Sequence, residues 1–264
     1  MPAALPKFPW RVFWLLLAAS ALGAGAVIPL VLEIFLPMIP KGPPLPMPLP
    51  ALVAIGVFQN LLIFAVAIGV GLLLARKLGL GAPLLEGWLY NEKPRVRARE
   101  SLKYGALTGF GVGLILLLII IPAAPYLPGL PFVSAARAAV WKRLLACLYG
   151  GIDEEVLTRL FLLSLIAWLG MKLVGKGKGL LSPTVFWVAN VIVAIVFGLG
   201  HLPSASLVMQ ITPSVVAIAL LLNGIAAVPF AYLYWKRGLE AAIIAHFCAD
   251  FVLYVVGPAF LKTA

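Results

Sequence analysis

The sequence predicts an all-α, polytopic membrane protein: a helical bundle of about seven to eight transmembrane helices with an interfacial amphipathic helix. Its mean hydropathy is +1.11, and 63% of its 264 residues are hydrophobic against 11% charged. These proportions lie outside the range of soluble domains. Seven apolar runs are long enough to cross a bilayer, and the basic residues lie mostly between the runs. We therefore expect residues 1–264 to form a single transmembrane domain.

The seven runs set the predicted order of the helices. Each is close to or above the roughly 20 mostly apolar residues that a helix needs to span the hydrocarbon core. In chain order they are about 12–36, 51–75, 105–121, 144–171, 183–201, 213–235 and 239–260.

The basic residues predict the orientation of the bundle and exclude one class of partner. With the N-terminus inside, 14 of the 20 basic residues are cytoplasmic, five are outside, and Arg159 lies within a span. The positive-inside rule then favours an N-in, C-out multi-pass protein of the cell membrane. The net charge of +11 does not indicate nucleic-acid binding, because the charges lie in loops and not on a soluble module. The bilayer is the expected partner.

The connections between the runs carry their own signals. Residues 37–50 contain seven prolines and predict a stiff extended segment. The basic stretch within 76–103 is typical of a loop at an anionic leaflet. Residues 132–143 combine basic and apolar residues and predict the interfacial amphipathic helix. Proline after Ser182 and after Thr212 predicts two helix starts.

Three short motifs inside apolar runs carry the candidate chemistry. They are Glu154-Glu155-Val156-Leu157-Thr158-Arg159, Phe197-Gly198-Leu199-Gly200-His201 and His246-Phe247-Cys248-Ala249-Asp250. The chain has only two histidines, and both stand in these motifs. An ionisable residue in the centre of a span costs about 2.5 kcal/mol or more, which makes it a functional candidate.

Helical spacing gives these residues different tasks. Glu155 and Arg159 are four apart and can form a pair, whereas Glu154 points about 100° away and stays available as a base. The pairs Phe197 with His201 and His246 with Asp250 each share a helix face. We expect Glu154, His201, His246 and Asp250 to meet at one point. Such a set can hold a divalent metal such as zinc, or can activate water without one, and spacing alone leaves both alternatives open.

With these motifs, in this order and each on a late span, the chain resembles the CPBP/Abi family of intramembrane endopeptidases, which includes the type II CAAX prenyl endopeptidases. The resemblance covers about 145–255, the motif-bearing core. It implies a protease that acts on a peptide or prenylated protein. In this protease Glu154 is the general base, His201 holds the attacking water, and His246 with Asp250 stabilises the oxyanion. Supporting roles fall to Glu155, Arg159 and Phe197. Family members of the prenyl type usually have Asn where this chain has Asp250.

Other interpretations remain open from sequence. Glu154, Glu155 and Arg159 can be a structural ion pair with a spare carboxylate, and Asp153 can be a helix N-cap. The motifs also suit a transporter or proton relay, or a non-catalytic scaffold or immunity protein. The predicted topology puts the loops nearest Glu154 and His201 outside. A CAAX tail would arrive from the cytosol, so other substrates remain possible. Glu33 has no visible partner.

Overall fold

The computed structural model describes residues 8–35, 37, 47–124, 135–175 and 181–260, and every regular element within them is helical. Seven of these segments are long and apolar enough to cross a membrane, as the sequence predicted. The helices are α1 Trp10–Phe35, α2 Leu49–Lys77, α3 Pro83–Tyr90, α4 Ala98–Ala123, α5 Val140–Leu173, α6 Pro183–Gly200, α7 Leu202–Ala205, α8 Pro213–Arg237 and α9 Leu239–Asp250. A π-helical turn, Phe251–Val256, continues α9.

Two connections differ from their predictions in part. Most of the proline-rich segment lies outside the described residues, and α2 already begins at Leu49. The interfacial helix expected at 132–143 is likewise described only from residue 135. There a turn is followed at Val140 by α5, so residues 140–143 form the first turn of a spanning helix. The strongly amphipathic stretch is therefore the beginning of α5.

Proline marks the predicted helix starts. Pro183 and Pro213 are the first residues of α6 and α8. The first amide of a helix has no partner within the helix, so proline is tolerated at this position. Thr212 caps α8, because its Oγ1 accepts a hydrogen bond from Val215 N at 3.3 Å.

Small residues bring α4 and α9 close together. Gly105, Gly109 and Gly113 of α4 face the backbone around Ala241, Ala245 and Ala249 of α9, and a Cβ at Gly109 would overlap the Ala245 carbonyl oxygen. Residues spaced by four lie on one helix face, and small side chains there allow the close backbone contact on which helix association in lipid depends. This contact fixes the position of α9 and of the motif that it carries.

A carboxylate joins α3 to the start of α9. Glu240 Oε1 accepts hydrogen bonds from Leu84 N at 2.9 Å and Leu85 N at 2.8 Å, and thereby satisfies amides of the first turn of α3. Glu86 of α3 is buried beside this contact, and burial raises the pKa of its carboxyl above the usual range. The long polar loop of the sequence thus contains a short helix docked against the bundle.

Candidate active site

The middle of α5 is wound as a π-helix, which the sequence did not predict. Tyr149–Glu154 and Val156–Leu163 are both π-helical. A π-helix bonds residue i to i+5, so residues five apart lie nearly above one another. Tyr149 and Glu154 consequently line the same two cavities. The Thr158 hydroxyl donates to the Glu154 carbonyl oxygen within this segment.

Glu155 and Arg159 form a fully buried ion pair. Arg159 Nε lies 3.2 Å from Glu155 Oε2, and both side chains have no solvent exposure. The guanidinium also donates to the Ala227 carbonyl oxygen of α8 at 3.1 Å and to the Thr158 hydroxyl. A buried charge is tolerated when it is paired and hydrogen-bonded. The pair therefore ties α5 to α8.

Two aromatic rings enclose the guanidinium of this pair. The Cζ atom of Arg159 lies 5.5 Å from the ring centre of Phe197 and 5.8 Å from that of Phe230. Both distances are within the range of cation–π attraction. Phe197 was expected beside His201, whereas Phe230 has no motif around it and was missed.

His246 connects the buried pair to the predicted base. Its Nδ1 lies 2.7 Å from Glu155 Oε1. Its Nε2 lies 3.6 Å from Glu154 Oε2 and 3.8 Å from Asp250 Oδ1. Because a carboxylate can only accept, Nδ1–H donates to Glu155, and Nε2 is the nitrogen that meets Glu154 and Asp250. One imidazole thus touches three carboxylates.

A glycine in α5 makes room for the third of these carboxylates. A Cβ at Gly150 would overlap Asp250 Oδ2, and it would lie 3.3 Å from His246 Nε2. The side chain of Asp250 therefore rests directly on the backbone of α5. This close approach keeps α9 near enough for His246 to reach both glutamates.

His201 lies where α6 ends and α7 begins. Its Nδ1 is 2.8 Å from the Phe197 carbonyl oxygen, and its ring meets the Phe197 ring edge to face at 4.7 Å between centres. A carbonyl oxygen only accepts, so Nδ1 carries the proton and the Nε2 of the neutral ring is an acceptor. An acceptor at this position can hold a water molecule.

The four predicted residues line one cavity of about 290 Å³, together with Tyr149 and other residues of α1, α4, α5, α6, α8 and α9. Glu154 has 22% of its side chain exposed, whereas those of His246 and Asp250 are 8% and 12% exposed. A second, mostly apolar cavity of about 720 Å³ lies among α1, α2, α5 and α6, and it shares Glu154 and His201. The two cavities meet at the candidate base.

Two further residues depart from the sequence interpretation. Asp153 is not a helix N-cap, because it lies inside the continuous helix α5 with no solvent exposure. Glu33 has a partner after all: its Oε2 lies 2.5 Å from Lys142 Nζ. The contact between Glu33 and Lys142 joins α1 to α5, and a contact between two helices leaves no short-range signal in the sequence.

The zinc alternative finds no support in this geometry. Across the described ranges, no group of three or more His, Cys, Asp or Glu side chains is arranged to hold a metal ion. The Nδ1 of His246 is already bonded to Glu155, and its Nε2 is 3.6 Å from the closest oxygen of Glu154. We therefore derive no step through a metal for Glu154, His201, His246 or Asp250.

Comparison with known protein families gives a match over part of the chain. Residues 136–252 match the model of the family described as type II CAAX prenyl endopeptidase Rce1-like. This segment contains all three motifs, so the resemblance drawn from them is confirmed there. Neither the curated proteins nor the solved structures include a match to the chain.

Proposed function

We propose that this protein is an intramembrane endopeptidase in which Glu154 activates water to hydrolyse a peptide bond of a membrane-associated substrate. The Rce1-like match implies a protease, and the seven candidate spans indicate a multi-pass membrane protein. The observation that carries the proposal is the cavity lined by Glu154, His201, His246 and Asp250. We assign the protein to the cell membrane.

The distribution of partners around the two adjacent glutamates supports Glu154 as the base. Glu155 forms an ion pair with Arg159 and a hydrogen bond with His246, whereas the Glu154 side chain faces the cavity and is 22% exposed. In the proposed step, the water oxygen attacks the scissile carbonyl carbon while the Glu154 carboxylate takes a water proton. The Nε2 of His201 accepts a hydrogen bond from the same water and orients it.

The following step needs a donor for the oxyanion and a proton for the leaving amine. When His246 is the imidazolium, its Nδ1–H continues to donate to Glu155, and its Nε2–H donates to the oxyanion. An ionised Asp250 cannot itself donate to the oxyanion, so its proposed role is to orient the imidazole from the Nε2 side, opposite Glu155. When the C–N bond breaks, the protonated Glu154 gives its proton to the departing nitrogen. The carboxylate is thereby restored.

The apolar cavity suggests the substrate class. It is lined by side chains such as Val31, Val57 and Phe161, and it opens onto Glu154 and His201. A peptide carrying an apolar anchor would place the anchor among these residues and its scissile bond near the base. A prenylated C-terminal CAAX tail is one such peptide, and an unmodified apolar segment is another.

Cleavage of a quenched peptide tests the proposal. Purified protein in detergent is incubated with farnesylated and unfarnesylated versions of one CAAX peptide, and wild type is compared with Glu154→Gln. General-base catalysis contributes about 10²–10⁴-fold, so we expect cleavage by wild type and a loss of that size in the variant. A chelator should leave the rate unchanged.

The same assay separates the proposal from its rivals. Equal cleavage by wild type and Glu154→Gln would contradict Glu154 as the base. Absence of cleavage of both peptides by folded wild-type protein, together with ion flux in proteoliposomes, would replace the protease with a transporter.

A further inference from the structure

Tyr149 is a residue of the candidate site for which the proposed mechanism has no use. It is partly buried in α5, and it lines both the cavity of about 290 Å³ and the apolar cavity of about 720 Å³. The polar residues that the two cavities share are Tyr149, Glu154, His201 and Ser204. The phenol therefore lies where the cavities meet, beside the candidate base.

The hydrogens of the other three polar side chains already have their places. Ionised Glu154 has none to give. The Nδ1–H of His201 donates to the Phe197 carbonyl oxygen at 2.8 Å, and the Ser204 hydroxyl donates to the His201 carbonyl oxygen at 2.9 Å. The Tyr149 hydroxyl makes no hydrogen bond to any residue that the structure describes. At this junction it is therefore the side-chain donor that can turn to a substrate.

The proposed reaction has a place for one more donor. Negative charge develops on the carbonyl oxygen of the scissile bond, and preorganised hydrogen-bond donors aimed at that oxygen stabilise the transition state. On α9 only the Nε2–H of His246 can serve, because an ionised Asp250 accepts and does not donate. A second donor must come from another helix.

The backbone of α5 brings Tyr149 to the side of the cavity where His246 lies. Gly150 follows Tyr149 directly, and a Cβ at Gly150 would lie 3.3 Å from His246 Nε2. The π-winding aligns Tyr149 with Glu154, and the Glu154 carboxylate is the charge that acts most strongly on the phenol. The phenol, the base and Nε2 therefore line the same part of the cavity.

We propose that the Tyr149 hydroxyl donates a hydrogen bond to the oxyanion, next to the Nε2–H of His246. This inference rests on the proposed function. The phenol keeps its proton throughout: its hydrogen bond strengthens as the carbonyl oxygen becomes negative, and weakens when the C–N bond breaks and the carbonyl re-forms. Tyr149 would thus be a further catalytic residue, which supplies the donor that Asp250 cannot.

The first test is kinetic. Tyr149→Phe keeps the ring and deletes only the hydroxyl, so Tm should equal that of wild type. Removal of one oxyanion donor costs about 10²–10³ in kcat, so we expect a fall of about 10²-fold for the quenched peptide, with KM little changed. Tyr232→Phe is the matched control: it deletes the hydroxyl of an exposed tyrosine of α8 that lines neither cavity, and it should keep both constants.

A pair of inhibitors separates donation to the oxyanion from a role in shaping the cavity. A phosphinate analogue of the peptide carries a charged oxygen where the oxyanion forms, whereas a reduced-amide analogue has a methylene group there and no oxygen. Tyr149→Phe should weaken inhibition by the phosphinate by about the same factor as kcat falls, because a transition-state analogue reports the same interaction. Inhibition by the reduced amide should stay at its wild-type strength.

The outcomes distinguish this inference from the proposed function. Wild-type kcat in Tyr149→Phe would overturn the inference and leave the protease intact. An equal loss of affinity for both analogues, or a kcat loss accompanied by a lower Tm, would make the hydroxyl structural and would overturn it as well. Absence of cleavage by folded wild-type protein would contradict the proposed function itself, and the inference would fall with it.

Discussion

Glu154 and Glu155 are neighbours in α5, yet they belong to two regions of opposite character. The anchored region comprises Glu155, Arg159 and the Ala227 carbonyl, and its two charged side chains have no solvent exposure. The cavity region comprises Glu154, His201 and Asp250, which line open space. The imidazole of His246 contacts both regions, through Nδ1 on one side and Nε2 on the other.

The difference shows how a membrane helix can keep one carboxylate reactive. Charges inside a bilayer are costly, so an isolated acid would be drawn to the nearest cation. Here Arg159 already has Glu155, the Thr158 hydroxyl and two aromatic rings around it. Glu154 is therefore left with the more distant contact to His246 Nε2 at 3.6 Å, and the anchored region holds the helices that position it.

The largest expected effect comes from removing the side chain that both regions share. His246→Leu deletes the hydrogen bond to Glu155 and the proposed oxyanion donor together. We expect loss of peptide cleavage and a clear fall in Tm, measured on the same preparation. A variant that kept its Tm while losing cleavage would show that His246 does not support the anchored region.

Breaking the anchored region should act mainly on stability. Arg159→Met leaves Glu155 buried without its cation, and removal of one partner from a buried pair costs about 3–5 kcal/mol. Thermal unfolding in detergent should show this loss. The double variant Glu155→Gln/Arg159→Met should recover part of it, because the stranded charge is gone; no recovery would mean that packing of Arg159 matters more than its charge.

A smaller effect is expected at Asp250. Asp250→Asn keeps the shape of the side chain and can still orient His246, so we expect cleavage to fall by less than about tenfold, which corresponds to less than 1.4 kcal/mol. The cleavage rate of the quenched peptide measures it. Complete inactivity in a folded variant would show that the negative charge itself is required.

The smallest effect should come from a pair outside both regions. Glu33 and Lys142 are partly exposed, and exposed ion pairs contribute about 0–1 kcal/mol. Glu33→Gln should shift Tm only slightly and leave cleavage intact. A large loss of activity would extend the functional site to this pair.

The sequence predicted those parts of the molecule that depend on composition or on spacing along one helix. Seven apolar runs became the seven candidate spans, and proline marked the starts of α6 and α8. The four candidate residues were expected to meet, and they line one cavity. Their roles stay predictions.

The features that the sequence did not predict depend on contacts between helices. The π-winding that aligns Tyr149 with Glu154, the Phe230 ring over Arg159 and the Lys142 partner of Glu33 all arise from tertiary packing. Asp153 looked like a helix start because Gly150 and Gly151 precede it. Those glycines instead admit Asp250 and Phe247 of α9 against α5.

The central claim is tested most directly by comparing Glu154→Gln with Glu155→Gln for both cleavage and Tm. Glu154→Gln should remain as stable as wild type within about 1 kcal/mol, because this side chain is 22% exposed and its contact with His246 Nε2 is long at 3.6 Å, and the variant should lose cleavage. Glu155→Gln should lower Tm, because Arg159 then stays buried without its counter-charge. Equal loss of stability in both variants, or cleavage retained in Glu154→Gln, would contradict the division into an anchored and a cavity region.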